Sequence, residues 1–292
     1  MSEATAISPM GEGWYDSPSL YKPEQVAGWK RVCEAVHGEG GLMLAQLWHI
    51  GRAGHTDGLG ERHQIEGDGV YTADTTKQPH KTPRALEIGE VEANVCDYKQ
   101  AALNAKEAGF DGVEVHSANG YFIDQFLQST SNVRTDAYGG SVENRYRFLK
   151  EIFEAVFEVF EPSRVGVKLS PNGVYNGMGS ADNIETFEYV MTEIEKLGFA
   201  YVKKLLKTTP IVANCGYTPE SAEAAVAAGD PQAVAFGRPT LSNPDYVDRL
   251  KNGNPIADTL PNDQWFGRAE HRLTPEKGYI DIPVKYNPAV AA

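Results

Sequence analysis

The stretch at 112–147, GVEVHSANGYFIDQFLQSTSNVRTDAYGGSVENRYR, constrains this chain more than any other. It opens on a short apolar run at 113–115, interrupted by Glu114, that reads as a buried strand. His116 stands at the C-terminal end of that strand. The turn-formers Ser117, Ala118, Asn119 and Gly120 follow, and then Tyr121. Folds that alternate strands with helices put their chemistry at the C-terminal ends of the strands. Three side chains able to donate hydrogen bonds, His116, Asn119 and Tyr121, thus fall within six residues of such an end. Spacing alone leaves two readings open. In one, His116 and Asn119 bond the backbone of their own turn and Tyr121 is half-buried. In the other, His116 and Asn119 hold a developing oxyanion while Tyr121 moves a proton.

Around this stretch, short apolar runs alternate with amphipathic ones. Residues 1–8 have the character of a strand end running into a loop marked by Gly11, Gly13 and Pro18. Residues 23–37 read as a helix, with Pro23 in its first turn and Val26, Trp29, Val32 and Val36 along one side. Residues 42–47 are the next strand, with Gln46 near its end. Between 51 and 89 there is little periodicity; so long a loop in a compact domain is a lid or binding loop, here a cover over the mouth of the fold. Helices follow at 91–108 and 142–160, the second capped by Ser141 and apolar at Phe148, Ile152, Ala155, Val156 and Val159. Strands at 165–170, 200–202, 209–213 and 233–236 alternate with helices at 183–197, 219–228 and 245–252. The expected class is α/β, a (β/α)8 TIM barrel, as one domain over the 292 residues.

Composition narrows the function classes. A net charge of −13 disfavours nucleic acid as a partner, and the acids are scattered as on a solvated surface. Cys33, Cys96 and Cys215 lie far apart and are odd in number, so they offer neither a metal-ligand spacing nor a disulfide framework. No run approaches a membrane span, and residues 1–3 open with neither the charged nor the apolar region of a signal peptide. A cytoplasmic protein working away from membranes is the expectation, as monomer or homodimer. Lys168, inside a strand, needs a negative partner or water, and an ion pair with Glu114 is one way to meet that need. The junctions after 209–213 and 233–236 are where a barrel binds phosphate: backbone amides of Cys215, Gly216 and Gly237 can face it and Arg238 can pair with it.

The H-x-x-N-x-Y turn, the F-I-D-Q-F-L that follows and the N-x-R-x-D-x-Y-G-G-S-x-x-N-R-x-R run at 132–147 closely resemble the old yellow enzyme family of flavin-dependent ene-reductases. The Q-L-W-H-x-G-R element at 46–52 and the F-G-R-P-x-x-x-N-P-D run at 236–245 are similar to the same family. The resemblance implies a bound FMN reduced by NADPH or NADH, and small activated alkenes as substrates. It implies that His116 and Asn119 bind the carbonyl oxygen of an enone, enal or nitroalkene analogue, and that Tyr121 protonates the alpha carbon. Gln46 would meet the pyrimidine edge of the flavin, and Lys168 the edge where charge builds up on reduction. Phe266 would shape the substrate pocket. Two residues depart from the pattern: Lys168 stands where arginine is usual, and Cys215 where glycine is.

The resemblance also expects a first barrel strand ahead of Met1, which is not found. It expects a crossover helix between Val202 and Thr209, where only six residues lie and a parallel connection needs about a dozen. An incomplete barrel is therefore expected. Its second reading is a truncated remnant with weak or no FMN binding and no turnover; a third is a barrel that uses only its phosphate junctions.

Overall fold

The structure is a computed structural model that describes residues 1–13, 17–54, 70–71, 77–78, 83–202 and 209–259. The chain divides into two compact units, the first Met1–Thr72 with Lys77–Pro210, the second Ala73–Thr76 with Ile211–Ala292.

The first unit is built on a parallel sheet of five strands, β1 (Ala4–Ala6), β2 (Leu44–Trp48), β5 (Gly112–Ser117), β6 (Val165–Leu169) and β7 (Tyr201–Val202), paired in that order. Two-residue strands β3 (Val70–Tyr71) and β4 (Lys77–Gln78) pair antiparallel beside it in sequence. The helices are α1 (Pro23–Gly38), α2 (Ile88–Glu107), the short α3 (Phe122–Leu127), α4 (Val142–Phe157) and α5 (Asn183–Glu195). Side chains alternate across a strand, so each register row lies on one face. Ala45, Leu47, Val113, Val115, Val165, Val167 and Leu169 all turn to the helices and join the main apolar core. Each buried valine or leucine among them contributes about 1.5–3 kcal/mol.

α4 follows the sequence expectation. Ser141 caps it by accepting the Asn144 N–H at 3.3 Å, and Phe148, Leu149, Ile152, Phe153 and Val156 are buried along one side. α1 differs: Val32 is 41% exposed, while Cys33 is buried in the core. The buried stripe of this helix thus runs through Val26 and Cys33, and an apolar side chain in its sequence is not by itself a core residue.

The second unit contains β8 (Val212–Asn214) and β9 (Ala233–Ala235), parallel and in register, with α6 (Pro219–Ala227), α7 (Arg238–Ser242) and α8 (Tyr246–Asn252). Thr218 caps α6, its hydroxyl accepting the Ser221 N–H at 3.2 Å. Most of the expected cover at 51–89, the six residues before Thr209 and Phe266 lie outside the described residues. Among the described residues no helix is long and apolar enough to cross a membrane.

Candidate active site

The face of the sheet turned away from the helices carries the chemistry. One register row joins Ala4, Gln46, Glu114, Gly166 and Tyr201; the next, nearer the C-terminal ends, pairs Ala6 with Trp48 and His116 with Lys168. In the lower row, Gln46 Nε2 donates to Glu114 Oε1 at 2.6 Å and the Tyr201 hydroxyl donates to Glu114 Oε2 at 2.8 Å. Glu114 is 1% exposed, so both donors answer a desolvated carboxylate. Burial first, and then the Glu114 charge, raises the Tyr201 phenol far above its usual range and keeps it a donor. Gly166 is small because the Tyr201 ring lies over it and leaves no room for a Cβ. Glu114 is thus held by an amide and a phenol. Among the described residues Lys168 makes no ion pair with it, and the ammonium stays half-buried at the strand end.

In the upper row, His116 is 3% exposed and lies inside β5 rather than just past it. The Tyr121 ring stands edge-on to His116 at 5.3 Å and edge-on to Trp48 at 5.3 Å. Two aromatic edges therefore fix the phenol between β2 and β5. Asn119 adopts φ 58°, a left-handed conformation that asparagine tolerates better than most residues. Gly120 follows at φ 69°, where a Cβ would also meet Tyr175 O at 2.7 Å. His116 and Tyr121 therefore stand together at the end of β5, with Asn119 in the turn between them.

The turn is clasped from below. Asn119 N–H donates to Ser170 Oγ at 2.7 Å, and Asn176 Nδ2 donates to the Asn119 carbonyl at 2.9 Å. Gly120 N–H donates to Asp124 Oδ2 at 2.8 Å, Ser170 Oγ to the same oxygen at 3.2 Å, and Gln128 Nε2 to Oδ1 at 3.0 Å. Burial pushes the Asp124 carboxyl up to about 6, against the pull of those three donors. All six residues of α3 are buried, including Asp124 and Gln125. A six-residue helix has little stability of its own and is held by its surroundings.

Those surroundings are the polar run that follows. Asn132 Nδ2 donates to the carbonyls of Phe126 and Tyr138 at 2.7 Å each, and Arg145 Nη1 donates to Leu127 O at 2.8 Å. Arg145 also pairs with Asp182 at 2.6 Å, and Arg134 with Asp136 at 2.6 Å. The run thus braces the C-terminal end of α3, so its role is structural support for the turn. The sequence reading missed Asp124, Ser170, Glu114 and Tyr201 as parts of the site. The one signal for Asp124 was an acid inside an otherwise apolar hexamer.

In the second unit, the register Asn214 with Ala235 brings the ends of β8 and β9 side by side, and Asn214 Nδ2 donates to Ala235 O at 3.0 Å. Cys215 (φ 80°) and Gly216 (φ 78°) thus neighbour Gly237 and Arg238 at an exposed rim.

A parallel sheet with helices packed on one face places the chain among the α/β proteins. The model of the NADH:flavin oxidoreductase / NADH oxidase family matches residues 1–204, and the chain belongs to that family. It is 39% identical to chanoclavine-I aldehyde reductase of Penicillium roqueforti over 96% of this chain and 81% of the relative. It is 33% identical to 12-oxophytodienoate reductase 2 of Arabidopsis thaliana over 97% of this chain and 82% of the relative. The solved structure of morphinone reductase in complex with tetrahydroNAD superposes with TM-score 0.85 at 36% identity, covering 98% of this chain and 84% of that one. The fold class is accordingly the α/β TIM barrel, and the chain is an FMN-dependent ene-reductase of the old yellow enzyme type with a nicotinamide hydride donor.

Proposed function

We propose that the site reduces the activated C=C bond of an α,β-unsaturated carbonyl or nitro compound, with His116 and Asn119 holding the substrate oxygen and Tyr121 supplying a proton. The observation that carries this reading is the Tyr121 ring set edge-on to His116 on the sheet face opposite the core, with Asn119 in the turn between them. Both His116 and Asn119 can donate a hydrogen bond to an oxygen that gains negative charge, and one such donor is worth about 3 kcal/mol. The Tyr121 hydroxyl then gives its proton to the alpha carbon and recovers one from solvent.

The residues present fit an FMN. Gln46 commits Nε2 to Glu114, which leaves Oε1 as an acceptor for an imide N–H. Lys168, without an ion pair among the described residues, would supply the positive charge that a reduced flavin calls for. By the family resemblance, Cys215, Gly216, Gly237 and Arg238 are the candidates for the phosphate, and Phe266, outside the described residues, is the candidate for shaping the substrate pocket. A bound FMN would supply hydride-transfer chemistry between NADPH or NADH and the beta carbon. We place this enzyme in the cytoplasm, as monomer or homodimer, and its net charge of −13 would repel nucleic acid.

The test is the visible spectrum of the chain desalted after incubation with FMN. A retained yellow colour that bleaches with NADPH and returns on adding cyclohexenone supports the reading. Bleaching without return would overturn it.

A further inference from the structure

We propose that Asp124 is a positioning residue of this site: through its own bond to Gly120 N–H and a Ser170 relay to Asn119 N–H, it fixes the left-handed turn that aims the Asn119 amide. The inference rests on the role given above to Asn119. Three donors converge on the carboxylate, from Gly120 N–H at 2.8 Å, Ser170 Oγ at 3.2 Å and Gln128 Nε2 at 3.0 Å. The Ser170 hydroxyl spends its single proton on Asp124, so its oxygen is free to accept the Asn119 N–H at 2.7 Å. This relay has one direction. It ties the Asn119 turn to the residue that follows β6, the strand of Lys168.

Asp124 is 0% exposed, and among the described residues no cation contributes to its environment. Burying a carboxylate on neutral donors alone is costly, and nothing in apolar packing asks for it. A residue that breaks local economy in this way belongs where geometry is worth more than stability. Gln128 also fixes the sense of the network. Its Oε1 accepts from Gly179 N–H at 2.9 Å and Ser180 N–H at 3.2 Å, so its Nε2 must face Asp124. Asp124→Asn is too mild a change, since its oxygen can still accept from Gly120 N–H and Ser170 Oγ with its NH2 turned on Gln128 Nε2; Asp124→Ala removes every acceptor and opens the clasp.

The experiment uses the FMN-loaded chain, reduced anaerobically by dithionite and then reoxidised by either of two acceptors. Cyclohexenone needs an aimed Asn119; ferricyanide takes electrons singly and needs no substrate-oxygen donor. In Asp124→Ala and in Ser170→Ala, reoxidation by cyclohexenone is expected to slow about 10- to 100-fold while reoxidation by ferricyanide stays at the parent rate. The double variant is expected to be no slower than the worse single, because both break one relay. Should Asp124→Ala fail to hold FMN, Ser170→Ala decides. Enone rates at the parent level in Ser170→Ala, equal losses with both acceptors, or additive losses in the double variant would overturn the proposal. If Asn119→Ala loses enone reoxidation and Ser170→Ala does not, the positioning role alone fails. If the parent itself is not reoxidised by cyclohexenone, the reading of the site fails and the proposal goes with it.

Discussion

The two faces of β5 teach different lessons. Val113 and Val115 point to the helices and pack into a core of interchangeable apolar side chains. Glu114 and His116, one residue along, point the other way, and each depends on particular partners in space: Gln46 and Tyr201 for the first, Tyr121 for the second. The first face needs volume and apolarity. The second needs directed donors in a desolvated setting, where losing one partner leaves the other stranded. Substitutions on the core face should therefore lower stability and leave the chemistry alone, and those on the other face should do the reverse.

The largest effect that could break this contrast is expected at Asn119. Asn119→Ala should slow reoxidation of the reduced enzyme by cyclohexenone about 100- to 1000-fold, with FMN affinity by fluorescence titration unchanged. Next comes a pair of neighbours in β2, Gln46 and Leu47, which face opposite ways. Leu47→Ala should cost about 2–5 kcal/mol in urea unfolding and leave both half-reactions of the surviving folded enzyme intact. Gln46→Ala should instead weaken FMN binding at near-parental stability, and matching stability losses for the two would break the comparison.

A third effect is the pH dependence of Asp124, a polar group paid for on the functional side. Its native carboxyl titrates near 6, above the unfolded value of 3.8, so the native state holds the proton more tightly between those two values. The stability it costs is fully present at pH 7 and is relieved as pH falls through 6 towards 4, by about 3 kcal/mol. Urea unfolding of parent and Asp124→Asn at pH 7 and pH 4 should show the parent gaining on the variant at the lower pH. A constant difference would remove the desolvation argument. The smallest effect is expected at the cap of α4, where the bond from Asn144 N–H to Ser141 is 3.3 Å long. Ser141→Ala should cost about 0.5–1 kcal/mol in stability and nothing in either half-reaction.

What could be read from the sequence follows the same division. The apolar run at 113–115 and the 3.6-residue period of α4 declare strand and helix, because a face packed against a continuous core repeats at regular spacing. The parallel pairing of β8 with β9 likewise puts the two expected phosphate junctions side by side. Val32 misled, since one exposed valine and one buried cysteine in the same turn carry no warning in their hydropathy. α3 left no trace, because six residues that are buried all round have no period. The clasp on Asn119 was invisible for a different reason: Ser170 lies 46 residues beyond Asp124, and only the closing of β5 against β6 brings them together.

The central claim is that the turn after β5 acts on the substrate and not on the flavin, and Tyr121→Phe tests it most directly. Stopped-flow absorbance would follow the two half-reactions of the FMN-loaded variant separately: bleaching by NADPH, then reoxidation by cyclohexenone. Bleaching at the parent rate and reoxidation slowed about 100-fold or more are expected, as befits a lost proton donor. Equal slowing of both steps, or of neither, would contradict that claim.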